Sequence, residues 1–153
     1  MRPIGASESN GMGAGSVRHT IGTYADIVAA RRSARRLARA AGFATADLTS
    51  IATAISEVAR NITTYAERGE MTITVLDDGE RRGIEITAED HGPGIADLSR
   101  ALEDGYSTGA GMGLGLPGAG RLMDELSVES AVGLGTTVVM RKWVSAPAEA
   151  TET

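Results

Sequence analysis

The chain has 153 residues, of which 42% are hydrophobic, and its formal net charge is −5 at neutral pH. That length allows one ordinary domain, the absence of cysteine excludes disulfides and thiolate metal sites, and two histidines are too few for the usual zinc clusters. The acidic balance argues against non-specific nucleic-acid binding, and no apolar run is long enough to span a bilayer. We therefore expect no nucleic-acid or membrane partner. Residues 1–16 lack the apolar stretch of a signal peptide, which favours a cytoplasmic protein.

Composition predicts one domain, residues 16–144, between two tails. Residues 1–15 are rich in glycine and serine without periodicity, and residues 145–153 consist mainly of Ala, Glu and Thr. Such segments cannot bury enough apolar surface to offset their conformational entropy, so we expect both tails to be disordered.

The predicted elements begin with a weakly alternating edge strand at residues 16–24, followed by an arginine-rich helix that ends at Gly42. A second helix is predicted over residues 46–65, because apolar residues recur there at three- and four-residue steps and mark one buried face. These residues are Leu48, Ile51, Ile55, Val58 and Ile62. Two alternating strands follow, at residues 71–76 and 83–88, on either side of an Asp-Gly pair typical of a hairpin turn.

The second half of the predicted domain is glycine-rich over residues 90–120. It contains a short helical pattern at 97–103 and leads into a helix that ends near Asp124. Two more strands, at 126–131 and 136–143, follow and are joined by a turn through Gly133 and Gly135. Hairpin-linked strands that alternate in blocks with helices predict an α/β fold of the α+β sandwich kind, with a mixed, mostly antiparallel sheet and helices on one face.

One side of the first predicted helix carries five arginines, opposite an apolar side. They are Arg31, Arg32, Arg35, Arg36 and Arg39. Charge runs of this kind are usually solvated helix faces. The alternative is a docking face for an acidic partner protein.

Glu57 and Asn61 form the first candidate site. They are four residues apart on the second predicted helix, so their side chains project from nearly the same face. A carboxylate can orient or deprotonate a hydroxyl nucleophile, and a neutral amide oxygen is a suitable hard ligand for Mg²⁺. The alternative is an exposed helix pair without a function, because Glu and Asn are common on helix surfaces.

The second candidate site, at residues 89–94, reads Glu-Asp-His-Gly-Pro-Gly and directly follows a predicted strand. Asp90 can accept a hydrogen bond from the exocyclic amine of a base, while Gly92 and Gly94 remove side chains where a ligand approaches the backbone. A plain turn is the alternative, since Asp-x-Gly-x-Gly is also common turn chemistry. We interpret His91 as an exposed loop residue and not as a catalytic base.

The third candidate site is a loop with glycine at every second position over residues 109–115, just before a helix with Pro117 in its first turn. Such a loop exposes backbone N–H groups beside a helix N-terminus, and both features favour phosphate oxygens. A flexible linker is the alternative, although linkers seldom end in a well-patterned helix.

Two other nucleotide-binding motifs fit the chain less well. Gly113-x-Gly115-x-x-Gly118 matches the dinucleotide fingerprint of an NAD-dependent oxidoreductase, but that fingerprint follows an apolar strand, whereas residues 103–108 read Glu-Asp-Gly-Tyr-Ser-Thr. A Walker P-loop needs Gly-Lys-Ser/Thr, and the chain's only lysine is Lys142.

The order of the three candidate sites resembles the N, G1 and G2 boxes of the GHKL ATPase family, which includes histidine kinases and gyrase. This match covers nearly all of residues 16–144. Four segments, residues 54–62, 88–95, 103–108 and 115–125, further resemble the RsbT-type switch kinases of the bacterial stressosome. The resemblance implies a Bergerat-type α/β sandwich that binds ATP and Mg²⁺.

The resemblance also implies a role for each matching residue. Glu57 would act as base toward the attacking hydroxyl, and Asn61 would hold the Mg²⁺ that bridges the phosphates. The other implied ATP contacts are Asp90 at the adenine amine, Gly92 and Gly94 at the pocket floor, Gly111, Gly113 and Gly115 at the phosphates, and Thr136 on the adenine side. Many family members carry a lysine in the glycine-rich lid, where this chain has none; Arg60 and Arg121 are positional candidates for the missing cation.

By the same resemblance, the chain would phosphorylate a serine or threonine on a STAS-domain protein, then be released to bind and activate a PP2C-type phosphatase. One alternative is a nucleotide-modulated anti-sigma or adaptor module without significant phosphotransfer. Labelled ATP would distinguish the two, because only a kinase leaves label on its partner. The other alternative, the oxidoreductase, requires NAD binding.

Overall fold

The computed structural model describes residues 15–94 and 115–145. Within these ranges, five strands form one antiparallel sheet in the order β1-β2-β3-β5-β4. The strands are β1 (Ser16–Ile21), β2 (Gly69–Asp77), β3 (Arg82–Asp90), β4 (Glu125–Ala131) and β5 (Gly135–Trp143). The helices are α1 (Tyr24–Ala41), α2 (Thr45–Tyr65) and α3 (Gly115–Leu122). The helix predicted at residues 97–103 and both predicted tails, apart from Gly15 and Ser145, lie outside the described residues.

A capping box explains why β1 ends at Ile21, three residues before the predicted end. The Asp26 backbone N–H donates to Thr23 Oγ1 at 3.2 Å, and the Thr23 N–H donates to Asp26 Oδ2 at 3.0 Å. These reciprocal bonds satisfy donors that the first turn of α1 leaves without partners. At the other end, Gly42 has a φ of 104°, the left-handed conformation that ends a helix as its position predicted.

The core lies between one face of the sheet and the three helices. Strand alternation directs the apolar side chains of β2 and β3 to this face, where Met71, Ile73, Ile84 and Ile86 are fully buried. The predicted apolar stripe of α2 packs onto the same core. The helices-on-one-face arrangement is therefore confirmed, and every described strand pairing is antiparallel.

The sheet register places Asp90, the last residue of β3, between the central strand's two neighbours, β2 and β5. Asp90 is paired with Gly69 of β2 on one side and with Thr136 of β5 on the other. Ala88, two residues earlier on the same face, is buried in the core. Because side chains two residues apart share a face, Asp90 projects to the helix side, just past the edge of the apolar core.

Candidate nucleotide-binding site

Glu57 is a buried carboxylate with a hydrogen-bond partner at each oxygen. Its residue exposure is 9%. Glu57 Oε1 accepts from the Gly115 backbone N–H at 3.2 Å, and Oε2 accepts from Arg60 Nη1 at 3.2 Å. A buried carboxylate is costly without such partners, so these two contacts compensate its desolvation. Glu57 thereby connects α2 to the first residue of α3.

Asn61 lies one turn further along α2 and is half-buried. Its position four residues after Glu57 places both side chains on nearly the same face of the helix. The amide oxygen of Asn61 offers one neutral ligand to a hard cation. The described residues contain no group of three or more His, Cys, Asp or Glu side chains positioned to hold a metal ion.

Asp90 lies at the last position of β3, so it belongs to the strand and not to the loop that the sequence predicted. Its Oδ1 accepts from the Gly92 backbone N–H at 2.9 Å, which fixes the carboxylate against the following turn. Gly69 opposite has no space for a side chain, because a Cβ atom there would lie 2.4 Å from the Glu89 carbonyl oxygen and 3.0 Å from Ile62 Cγ2. The glycine thus allows α2, β2 and β3 to meet at the aspartate.

Gly92 and Gly94 pack the loop after β3 against its neighbours. A Cβ atom at Gly92 would lie 2.5 Å from Ala66 Cβ, just beyond the end of α2. Gly94 has a φ of 80°, and a Cβ atom there would lie 2.3 Å from the Ala131 carbonyl oxygen. Contacts within the protein therefore already require both glycines. Their predicted role, to let a ligand approach the backbone, stays a prediction. His91 is exposed, as predicted.

Thr136 is buried beside Asp90 on the adjacent strand. Its Oγ1 lies 2.8 Å from Ser130 Oγ, and Ser130 Oγ donates to the Gly135 carbonyl oxygen at 3.1 Å. Gly135 has a φ of 118°, and a Cβ atom there would lie 2.1 Å from the Asp90 carbonyl oxygen. The backbone at Gly135, where the β4–β5 turn ends, therefore packs directly against the backbone of Asp90.

An open cleft of about 400 Å³ lies at this end of β3, β4 and β5, and Asp90 and Thr136 both line it. Glu57 and Asn61 are not among its lining residues. The predicted site residues thus fall into two groups, one at the end of the sheet and one at the junction of α2 and α3. Gly111 and Gly113, predicted to contact phosphates, lie outside the described residues, while Gly115 begins α3.

The donor set fits ATP with a divalent cation. The Asp90 carboxylate can accept from an exocyclic amine, and Thr136 adds a hydroxyl beside it. Gly115 begins α3, but its own N–H is bonded to Glu57 and Pro117 has none, so the N–H groups of Leu116 and Gly118 are the donors that this helix N-terminus offers to phosphate oxygens. Asn61 supplies one oxygen, which suits Mg²⁺ because that ion commonly keeps waters and phosphate oxygens as its other ligands.

Sequence analysis missed three residues that shape this site. Gly69 and Gly135 are revealed only by the close backbone approaches at Asp90, which depend on the sheet register. Ser130 is identified by its contact with Thr136. The Gly133/Gly135 pair was predicted to form a turn, but its position against β3 was not predicted.

Within the described part of the chain, no helix combines the length and apolarity needed to cross a membrane.

Comparison with known proteins shows the family to which the chain belongs. A family model described as a histidine kinase-like ATPase domain matches residues 22–142. The chain is 50% identical over 119 residues to the serine/threonine-protein kinase RsbT of Bacillus subtilis (strain 168), covering 78% of this chain and 90% of that protein. It is 32% identical over 101 residues to the anti-sigma F factor of Clostridium novyi (strain NT), covering 63% of this chain and 71% of that protein.

Among solved structures, the RsbU and RsbW domains of a Mycobacterium tuberculosis protein match with a TM-score of 0.61 and 19% identity, over 86% of this chain. This chain spans about a third of that structure, since the match covers 33% of it. The likeness confirms the predicted fold. The family match over residues 22–142, with the 50% identity to RsbT, confirms the resemblance drawn from the three motifs. The chain therefore belongs to the family of histidine kinase-like ATPase domains.

Proposed function

We propose that this chain is an ATP-dependent serine/threonine protein kinase that phosphorylates STAS-domain partners in a bacterial stress-signalling pathway of the stressosome type. The protein kinase class rests on the 50% identity to RsbT over most of both chains. The structural observation that carries the proposal is the buried Glu57, held at both oxygens on the same helix as Asn61. Since ATP is the phosphate donor, we place the reaction in the cytoplasm.

Bound ATP supplies the γ-phosphoryl group, and Asn61 would hold the Mg²⁺ that offsets its charge. Glu57 accepts the proton of the partner's serine or threonine hydroxyl. The hydroxyl oxygen forms a bond to the γ-phosphorus while the bond from that phosphorus to the β–γ bridging oxygen breaks, so that ADP leaves. Asp90, with Thr136 beside it, binds the adenine end and so fixes the position of the γ-phosphate relative to Glu57.

The exposed arginines of α1 favour docking of an acidic partner protein. Arg32, Arg36 and Arg39 are exposed, Arg35 is half-buried, and none of the four forms an ion pair with a carboxylate of the described residues. An unpaired cationic strip on an acidic protein speeds encounter with an acidic surface. We place the STAS-domain partner here, and after its phosphorylation the released kinase would bind and activate a PP2C-type phosphatase.

Labelled ATP tests this function directly. Incubation of the chain with γ-labelled ATP, Mg²⁺ and each STAS-domain protein of the same genome should transfer label to at least one of them, on serine or threonine. The double variant Arg36→Glu/Arg39→Glu should weaken that transfer at low salt more than at high salt, because its effect is on electrostatic encounter. Arg18→Glu, on the opposite face of the sheet, is the control for a charge reversal away from α1.

The similarity to anti-sigma F factors favours one competing function, a nucleotide-modulated anti-sigma or adaptor module. Such a module would bind its partner in an ATP-dependent manner and leave no label on it. Binding without label across all STAS-domain proteins of the genome would therefore favour the adaptor over the kinase.

A further inference from the structure

Arg60 is the one residue besides Gly115 that holds Glu57 among the described residues. The two side chains are three residues apart on α2, which are neighbouring positions on a helix surface. Arg60 Nη1 donates to Glu57 Oε2 at 3.2 Å. The Glu57 side chain is 10% exposed and that of Arg60 is 45% exposed, so the guanidinium lies at the solvent edge of a buried carboxylate.

The two partners of Glu57 divide its oxygens between them. Oε1 is held by the Gly115 N–H and Oε2 by Arg60, so the carboxylate plane is fixed at two points. Each carboxylate oxygen has a second lone pair, so acceptor capacity remains for a substrate hydroxyl. A base that is fixed at both oxygens presents that capacity in one orientation, whereas a base held only at Oε1 can rotate about its last side-chain bonds.

We propose that Arg60 is a positioning residue for the phosphotransfer reaction, acting through Glu57 and not through the nucleotide. The inference rests on the proposed kinase function. It differs from the role that the missing lid lysine suggests for Arg60, which is direct compensation of phosphate charge. The chain's only lysine is engaged elsewhere, since Lys142 Nζ donates to the Leu122 carbonyl oxygen at 3.0 Å.

A variant series at Arg60 tests the proposal with two independent readouts. Arg60→Gln should lower kcat for label transfer to the STAS acceptor by about 10- to 100-fold, a loss typical of a misplaced catalytic group, while the Kd for ATP stays within about twofold. Arg60→Lys should recover part of the rate, and guanidinium ion should partly rescue Arg60→Gln but not Glu57→Gln. Arg18→Gln, which removes an exposed arginine of the Arg18–Glu70 pair, is the matched control.

The second readout uses the nucleotide-free protein. The amide resonance of Gly115 reports its hydrogen bond to Glu57, so Arg60→Gln and Glu57→Gln should both shift it, Arg60→Lys less, and Arg18→Gln not at all. Cooperative urea unfolding of each variant establishes that it is folded. This readout needs neither ATP nor an acceptor, so it still applies if no STAS protein is labelled and the kinase function itself fails.

Two results would overturn the proposal. One is an unchanged Gly115 resonance in folded Arg60→Gln, since Arg60 would then not position Glu57. The other is a Kd for ATP raised tenfold or more with kcat unchanged, which would assign Arg60 to phosphate binding.

Discussion

Asp90 and Thr136 are paired across β3 and β5, and both side chains project to the helix side of the sheet. The Asp90 carboxylate is fixed by the Gly92 N–H at 2.9 Å, and the Thr136 hydroxyl lies 2.8 Å from Ser130 Oγ. Two neighbouring strands thus present an acceptor and a hydroxyl side by side at the rim of one cleft. This pairing supplies the two hydrogen-bonding groups, a carboxylate and a hydroxyl, of the adenine end of the proposed site.

Asp90→Asn should weaken ATP binding. The substitution replaces a carboxylate acceptor with an amide, and a hydrogen bond to a charged group contributes about 1.5–3 kcal/mol, so we expect a loss of about 10- to 100-fold in affinity. Isothermal titration calorimetry with a nonhydrolysable ATP analogue measures it. Asp77→Asn, at the far end of the β2–β3 hairpin, is the control. ATP binding equal to that of the unmodified chain would show that the assignment of Asp90 is wrong.

Glu57→Ala should separate binding from chemistry. Loss of a general base costs about 10²- to 10⁴-fold in rate, whereas Glu57 makes no proposed contact with the nucleotide. We therefore expect label transfer to fall by that factor while the Kd for ATP changes little. Single-turnover transfer and calorimetry, measured on one preparation, give both quantities. Equal losses in binding and transfer would instead indicate that Glu57 supports the pocket.

The fold was largely predictable because its patterns are local. The α2 stripe and the alternating strands follow the periodicities of helix and sheet, and Gly42 ends α1 through its left-handed backbone. Where local patterns compete, the prediction was less accurate. Residues 22–24 were predicted to extend β1, but Thr23 forms the capping box that begins α1. Pairing with β2 and β5 continues β3 to Asp90, two residues beyond its predicted end.

The site was predictable only in part, because its contacts join residues distant in sequence. The motif order led to Glu57, Asn61 and Asp90, whose roles stay predictions. The contact between Glu57 and Gly115 spans 58 positions in sequence and depends on how α3 packs against α2. Similarly, the contact of Gly135 with the Asp90 carbonyl follows from the β3–β5 register, which no local pattern specifies.

Gly135→Ala should disrupt both the fold and the adenine end of the site. Its φ of 118° disfavours a side chain, and the new Cβ atom would lie 2.1 Å from the Asp90 carbonyl oxygen. Gly133→Ala is a matched control, because Gly133 also has a positive φ, 84°, but no atom lies within 4 Å of its Cβ position. Backbone strain alone costs about 1–3 kcal/mol.

We expect the control to lose about that amount of unfolding free energy, and Gly135→Ala to lose more and to weaken ATP binding as well. Urea denaturation and calorimetry measure the two effects. Equal stability losses in the two variants would contradict the close contact with Asp90.

Glu125 should make stability depend on pH at the opposite end of the sheet. A hydrogen bond from Trp143 Nε1, followed by one from Arg141, holds the pKa of its carboxyl below the ordinary value. Because the folded-state pKa is the lower one, the stabilisation is present above the unfolded-state pKa of about 4.3 and is lost as the pH falls through the folded-state pKa.

The difference in unfolding free energy between the unmodified chain and Glu125→Gln should therefore be largest near neutral pH and should shrink below about pH 4. Urea denaturation across this range measures it. Glu129→Gln, on the same strand but without an ion pair to another described residue, should show a smaller difference at neutral pH. The prediction is wrong if this difference in unfolding free energy stays constant as the solution is acidified. The hydrogen bonds from Trp143 and Arg141 would then not favour the ionised carboxylate of Glu125, because its protonation would not destabilise the fold.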